Sequence, residues 1–195
     1  MFGIGREEAP ERPILYDVDR LAVRAARRDP QAFEALYRKY VAQVYSFALY
    51  ETRDHHAAED VTEQVFLSAL RGMPRFEERS EHARSTFRAW LFRIARNALA
   101  NERRWQRRHP VGPLDAALAV ASPTADPADE VATRDLAARA WAAIDELSDE
   151  RRQVIVLRFV EEMSAQEIGL VMGRSPGAVR VLVHRALRTV ARRLG

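Results

Sequence analysis

Apolar residues recur at intervals of three and four along most of this chain, and no stretch alternates apolar and polar residues long enough to predict a strand. That spacing is typical of amphipathic helices, whose apolar residues line one face. We therefore predict an all-α fold. The 195 residues suffice for one ordinary domain or for two small ones.

A stretch rich in Ala, Asp, Ser and Pro interrupts the helical pattern over residues 109–132. Such a composition buries too little apolar surface to form a core and is typical of a linker. We predict two small helical modules, residues 21–108 and 133–195, joined by this flexible, acidic linker. Residues 1–20 are expected to form a disordered tail.

The composition excludes several classes of protein. With no cysteine, the chain has no disulfide, no Cys-based zinc site and no thiol switch. The first residues lack the apolar stretch of a signal peptide, and no apolar run approaches the ~20 residues that span a bilayer. We expect a cytoplasmic protein that needs neither a cofactor nor a metal ion.

Charge is segregated along the chain although the net charge is only +3. Residues 85–110 carry seven arginines against one glutamate, and residues 174–195 carry six arginines and no acid. Residues 111–150 between them hold nine acids and two arginines. This layout predicts two contacts with a polyanion and a separate acidic surface that faces something basic.

The second module ends in the pattern of a helix-turn-helix. Ser164 and Glu167 form a capping box, Gly173 suits a left-handed C-cap, and Ser175-Pro176 begins the next helix. A basic second helix after a short glycine turn favours DNA binding over an ordinary helix pair, although such pairs are also common in bundles. Its outward face consists of Arg180, His184, Arg185, Arg188 and Arg192. We interpret the histidine as a phosphate or base contact, because no second metal ligand lies at a suitable spacing.

The first module carries one basic and one acidic helix face. Arginine, asparagine and a nearby tryptophan suit bases pulled out of a stack, and the alternative is a solvated face. The residues of this basic face are Arg93, Asn97, Asn101, Arg104, Trp105 and Arg108. The preceding helix presents Glu59, Asp60, Glu63 and Gln64, which indicate either a protein partner or a contribution to solubility.

Taken in order, four motifs resemble the extracytoplasmic-function (ECF) group of bacterial RNA polymerase sigma factors. Each motif is weak alone, but their order and spacing are specific. The motifs span residues 29–37 (DPQAFEALY), 58–67 (AEDV running into VFL), 87–97 (FRAWLFRIARN) and 177–180 (GAVR).

The resemblance implies a sigma factor that binds core RNA polymerase, directs it to two-element promoters and opens the minus-ten region. The chemistry would belong to the polymerase, so the chain would not be an enzyme. Its partners would be promoter DNA, the β′ clamp and the β subunit, and an anti-sigma factor is a further partner that the resemblance allows. The polymerase-binding residues would be Glu59, Asp60, Glu63 and Gln64. The minus-ten residues would be Arg93, Arg96, Asn97, Asn101, Arg104, Trp105 and Arg108. The minus-thirty-five residues would be Arg174, Ser175, Gly177, Ala178, Arg180, Val181, His184, Arg185 and Arg188.

Three features depart from the family's pattern. Glu63-Gln64 reverses the usual order of these residues, and Val181-Leu182 stands where many members have Ser-Arg. The loop over residues 77–86, which captures a flipped base in relatives, is longer than usual. The base that this loop prefers is therefore open.

Two alternatives remain. A helix-turn-helix regulator that does not replace the sigma subunit would explain the second module, but not the acidic and basic helices of the first. A metal-dependent phosphoesterase is suggested by Asp54-His55-His56. That chemistry needs further metal-binding aspartates on strand ends, which this helical pattern does not offer.

Overall fold

A computed structural model describes residues 17–78, 85–108 and 137–194, and these residues contain helices and turns but no strand. The all-α prediction is confirmed. The predicted linker, residues 109–132, lies outside the described part of the chain. The described residues form eight α-helices, in chain order α1 Val18–Ala26, α2 Phe33–Thr52, α3 His55–Gly72, α4 Phe87–Arg108, α5 over 137–145, α6 Asp149–Ile155, α7 Ala165–Met172 and α8 Pro176–Leu194. None of them is long and apolar enough to cross a membrane.

The first module is a bundle in which α3 packs between α2 and α4 and α1 packs on α2. Aspartates cap two of its helical segments at their N-termini. The Asp54 carboxylate, before α3, accepts a hydrogen bond from the backbone N–H of Ala57 at 2.8 Å, and Asp29 caps a 3₁₀ turn that leads into α2. The buried stripe of α2 is Phe33, Leu36, Tyr40, Val44 and Phe47. Tyr37 lies four residues after Phe33 but is 43% exposed, although its ring meets the Phe66 ring edge-on.

Helix α1 overlaps the predicted tail. Residues 18–20 are helical, and Asp17 caps them by accepting a hydrogen bond from the backbone N–H of Asp19 at 3.0 Å. Asp19 in turn accepts a hydrogen bond from the Tyr40 hydroxyl at 2.5 Å, which fixes α1 on α2. Residues 1–16 lie outside the described part of the chain.

The second module contains the predicted helix-turn-helix. Both hydrogen bonds of the Ser164–Glu167 capping box are present at the start of α7, and Gly173 ends that helix in the left-handed region with φ +67°. Gly169 allows the turn to close, because a Cβ at this position would lie 2.6 Å from the carbonyl oxygen of Arg174. The turn therefore depends on two glycines, of which the sequence pattern indicated only Gly173.

The two modules pack against each other, which the sequence did not predict. Helix α4 lies on α7, and α2 contacts the π-helical turn Val156–Val160 that follows α6. The rings of Tyr50 and Trp141 stack across the contact with centroids 4.6 Å apart. The described residues thus form one continuous body, although the sequence pattern separates them into two modules.

Candidate nucleic-acid and polymerase interfaces

The acidic face of α3 is exposed as a unit. Its members are Glu59, Asp60, Glu63 and Gln64, all of which are exposed. The opposite face of the helix, including Ala58, Val61 and Val65, is buried in the first module. Leu67 lies one turn beyond Glu63 and is 43% exposed. An exposed leucine next to carboxylates suits a protein partner better than solvent alone, and its i+4 spacing from Glu63 is the signal that sequence reasoning missed.

The basic face of α4 is also exposed, with one exception. The exposed members are Arg93, Asn97, Asn101, Arg104, Trp105 and Arg108. Asn101 accepts a hydrogen bond from the Arg104 guanidinium at 2.7 Å, which orders part of this face, and Trp105 is 48% exposed. An exposed indole among arginine and amide side chains provides a stacking platform and hydrogen-bond donors for unpaired bases.

Arg96 is the exception. It is half-buried, and its Nε–H donates a hydrogen bond to Oε1 of Gln153 in α6 at 3.1 Å. The structure therefore brings six of the seven predicted minus-ten residues to an open surface and places Arg96 in the contact between the modules.

The loop that precedes α4 is tied at its ends. The Glu78 carboxylate accepts hydrogen bonds from the backbone N–H of Thr86 at 2.9 Å and from the Ser85 hydroxyl. Residues 79–84, the middle of the predicted base-capturing loop, lie outside the described part of the chain.

Helix α8 presents a basic face without an acid. Its predicted DNA-binding residues from the turn onward are all exposed: Arg174, Ser175, Gly177, Ala178, Arg180, Val181, His184, Arg185 and Arg188. Two of them already have partners. Arg174 donates to Glu150 at 2.7 Å, and the Ser175 hydroxyl accepts from the backbone N–H of Ala178 at 3.2 Å as the N-cap. The helix N-terminus beside these residues favours a phosphate.

The histidine pair that suggested a phosphoesterase has local partners. Asp54 caps α3, His55 Nδ1 lies 2.7 Å from the Tyr45 hydroxyl, and His56 is 3.7 Å from Glu59. Within the described ranges, no group of three or more His, Cys, Asp and Glu side chains is placed to hold a metal ion. Asp54, His55 and His56 therefore form the start of α3 and make their contacts there.

Acidic residues of the second module pair with arginines of both modules. Asp145 pairs with Arg53, and Asp149 lies 2.9 Å from Arg103. Glu146 and Glu150 pair within the second module, with Arg193 and Arg174. The acidic surface predicted for residues 111–150 is therefore, in its described part, largely neutralised by the chain itself.

Two buried carboxylates lie where the modules meet. The Glu51 side chain is fully buried and contacts Arg103, Arg152 and Gln153; burial raises its pKa, and the two arginines oppose that rise. Glu161 is also buried, and burial raises its pKa to about 7, against the opposing effect of Arg88.

The family profiles and the relatives that match this chain are those of RNA polymerase sigma factors. The sigma-70 region 2 profile matches residues 36–109, and the sigma-70, region 4 profile matches residues 137–190. RNA polymerase sigma factor CarQ of Myxococcus xanthus is 32% identical over 84% of this chain and 90% of its own. ECF RNA polymerase sigma factor SigL of Mycobacterium tuberculosis is 33% identical over 88% of this chain and 95% of its own. ECF RNA polymerase sigma factor BldN of Streptomyces coelicolor is 32% identical over 89% of this chain, which spans 64% of BldN.

Solved structures share the fold. CnrH in complex with the cytosolic domain of CnrY matches with a TM-score of 0.65 and 25% identity, covering 90% of this chain and 96% of CnrH. The sigma factor RpoE, in complex with the anti-sigma factor NepR from Bartonella quintana, matches with a TM-score of 0.61 and 22% identity, over 83% of this chain and 96% of RpoE. With both sigma-70 regions present in order and relatives above 30% identity matched over most of their length, the chain belongs to the ECF group of RNA polymerase sigma factors.

Proposed function

We propose that this sigma factor divides promoter-specific initiation among three separate exposed surfaces. The acidic face of α3 binds the β′ clamp of core RNA polymerase, the basic face of α4 opens and holds the minus-ten element, and the exposed face of α8 reads the minus-thirty-five element. The observation that carries the proposal is the separation of one acidic and two basic faces on the two sigma-70 regions.

The chemistry of each surface supports its assignment. Carboxylates beside Leu67 provide charge complementarity and an apolar anchor for a basic protein surface. Trp105 and the asparagines of α4 suit bases taken out of the stack. The α8 face combines an arginine for guanine edges, the apolar Val181 for a thymine methyl group, and a helix N-terminus for phosphate.

The remaining assignments follow from the same role. The chain supplies specificity while the polymerase performs nucleotide addition, so no catalytic residue is assigned to it. Residues 21–108 act on the polymerase and the minus-ten element, residues 133–195 act on the minus-thirty-five element, and residues 109–132 connect them. Because its proposed partners are core RNA polymerase and promoter DNA, we propose that the chain acts in the cytoplasm. Because RpoE is solved with an anti-sigma factor, such a protein is also a candidate partner here.

Run-off transcription tests the proposal. Bacterial core RNA polymerase is incubated with a fragmented genomic library, with and without the chain. We expect discrete new transcripts whose templates share two upstream motifs. If no transcript appears but the chain alone binds duplex DNA sequence-specifically, the function is that of an ordinary helix-turn-helix regulator.

A further inference from the structure

Two carboxylates hold the residues that lead into α4. The Glu78 carboxylate accepts hydrogen bonds from the backbone N–H of Thr86 at 2.9 Å and from the Ser85 hydroxyl. The Asp17 carboxylate accepts a hydrogen bond from the backbone N–H of Ser85. The Ser85 hydroxyl in turn accepts a hydrogen bond from the backbone N–H of Phe87 at 3.1 Å and so caps α4. We call Asp17, Glu78, Ser85 and Thr86 the α4 anchor.

The α4 anchor is itself fixed to the core of the first module. Asp17 is the N-cap of α1, and the hydrogen bond from Tyr40 to Asp19 holds α1 on α2. Glu78 lies two residues after the buried Phe76, whose ring packs edge-on against the first residue of α4 with centroids 5.8 Å apart. The anchor therefore joins α1, the segment after α3 and the start of α4 at one place.

Negative charge at this place needs a physical reason. Arg93, the first residue of the basic face, follows Ser85 by about two helical turns, or about 12 Å along α4. At low ionic strength, carboxylates at such a distance repel the phosphates that the basic face attracts. Two acids here lower the affinity for DNA unless their hydrogen bonds benefit the surface in another way.

We infer that Asp17 and Glu78 are positioning residues for the minus-ten element. Their hydrogen bonds fix Ser85 and Thr86, and with them the start of α4, before DNA is bound. A surface that is ordered in advance loses less conformational entropy when it takes up unpaired bases. The inference rests on the proposed function, because it takes the basic face of α4 as the minus-ten surface.

Positioning and simple charge predict opposite effects when Glu78 is removed. If Glu78 contributed only its negative charge, Glu78→Ala would strengthen the binding of any single-stranded DNA. If Glu78 positions α4, the variant binds matching minus-ten DNA more weakly, because Ser85 and Thr86 then have to be ordered on binding.

Binding of single-stranded DNA by the holoenzyme distinguishes the two. The probes are fluorescent oligonucleotides with a minus-ten sequence from the promoters found by run-off transcription, and scrambled oligonucleotides of the same composition. We expect Glu78→Ala to lower the affinity for the matching sequence by about three- to tenfold, the range for ordering one side chain or loop end. The affinity for scrambled DNA should stay equal or rise, so the ratio of the two affinities falls. A loss of folded protein would lower both affinities and leave their ratio unchanged.

Glu77→Ala is the matched control. Glu77 is the exposed neighbour of Glu78, and its replacement removes the same charge. This variant should keep the wild-type ratio of affinities. A folded Glu78→Ala variant that behaves like Glu77→Ala would overturn the positioning role of Glu78.

Asp17→Ser tests the second carboxylate. Serine is also a good N-cap, so α1 keeps its cap, but the shorter side chain does not reach the backbone N–H of Ser85 as well. We expect the ratio of affinities to fall as it does in Glu78→Ala, and an unchanged ratio in the folded variant would remove Asp17 from the inference. Circular dichroism checks the fold of each variant. If neither folds, hydrogen exchange in the wild-type chain decides: Ser85 and Thr86 amides that exchange at the unprotected rate would overturn the inference.

The wild-type holoenzyme separates this inference from the proposed function. If it gives no promoter-specific transcripts, or binds matching and scrambled minus-ten DNA equally, the proposed function of α4 fails. If it prefers the matching sequence and both variants prefer it equally well, the proposed function holds and the positioning role alone is wrong.

Discussion

At the residue scale, Arg180 distinguishes base reading from general attraction to DNA. It is exposed on α8 and follows the buried Val179, so its guanidinium can enter a groove while the helix stays packed. We expect Arg180→Ala to cost about 1–3 kcal/mol at a matching minus-thirty-five site and much less on scrambled DNA. Competition binding measures both affinities. Arg192→Ala, near the end of the same helix, should weaken both equally; equal losses for Arg180→Ala would make it a phosphate contact.

Asp60 provides the corresponding test of the acidic face. It is exposed on α3, so its replacement should leave the core of the first module intact. We expect Asp60→Arg to weaken binding to core RNA polymerase by about tenfold or more, because like charges then face each other across the contact. Affinity is measured by titration of labelled chain with polymerase. Glu34→Arg, an exposed acid of α2, is the control, and unchanged affinity for Asp60→Arg would remove α3 from the polymerase interface.

At the scale of the element, the helix-turn-helix depends on Gly169. A Cβ there would lie 2.6 Å from the Arg174 carbonyl oxygen, which belongs to backbone and cannot move aside cheaply. We expect Gly169→Ala to lower the free energy of unfolding by about 1–3 kcal/mol, which lowers Tm by about 2–4 °C per kcal/mol in a chain of this size. Gly177→Ala is the matched control, because its Cβ meets open space. Equal thermal stability of the two variants would contradict this account of the turn.

Local signals explain which elements were predictable. Ser164, Gly173 and Ser175 mark helix ends through hydrogen bonds or backbone conformations within a few residues, and the structure has all three. Helix α1 and the π-helical turn Val156–Val160 were missed. Both depend on distant parts of the chain: α1 is anchored by the bond between Asp19 and Tyr40, and the turn packs against α2.

At the scale of the whole molecule, the sequence indicated the faces of each module but not the contact between them. Charge in a sequence does not show whether a side chain meets solvent, a partner or another part of the chain. Arg96 shares a basic segment with the exposed Arg93, yet it bonds to Gln153. Asp145 and Asp149 add to an acidic segment, yet they pair with Arg53 and Arg103 of the first module. Such pairings are set by tertiary structure, so the contact between the modules could not be predicted.

The contact between the two modules should weaken as the pH rises. Glu161 faces Arg88 from α4, Ser46 and Tyr50 from α2, while Glu167 from α7 shares Arg88. Burial raises the pKa of Glu161 to about 7 from an ordinary value of 4.5, so between these values the folded chain holds a proton that the unfolded chain has lost. Each such proton changes the folded-to-unfolded ratio by at most about tenfold per pH unit.

We therefore expect the free energy of unfolding to fall between pH 5.5 and pH 8, because deprotonation leaves a buried charge that Arg88 and the hydrogen bond with Ser46 offset only in part. Glu161→Gln, which stays neutral, should flatten this dependence. Some dependence should remain, since burial also raises the pKa of Glu51, which lies where the modules meet. Glu59→Gln, on the exposed face of α3, is the control and should keep the wild-type profile. A free energy of unfolding that does not change over this pH range, or an unchanged profile in Glu161→Gln, would show that the pKa of Glu161 does not differ between the folded and unfolded chain.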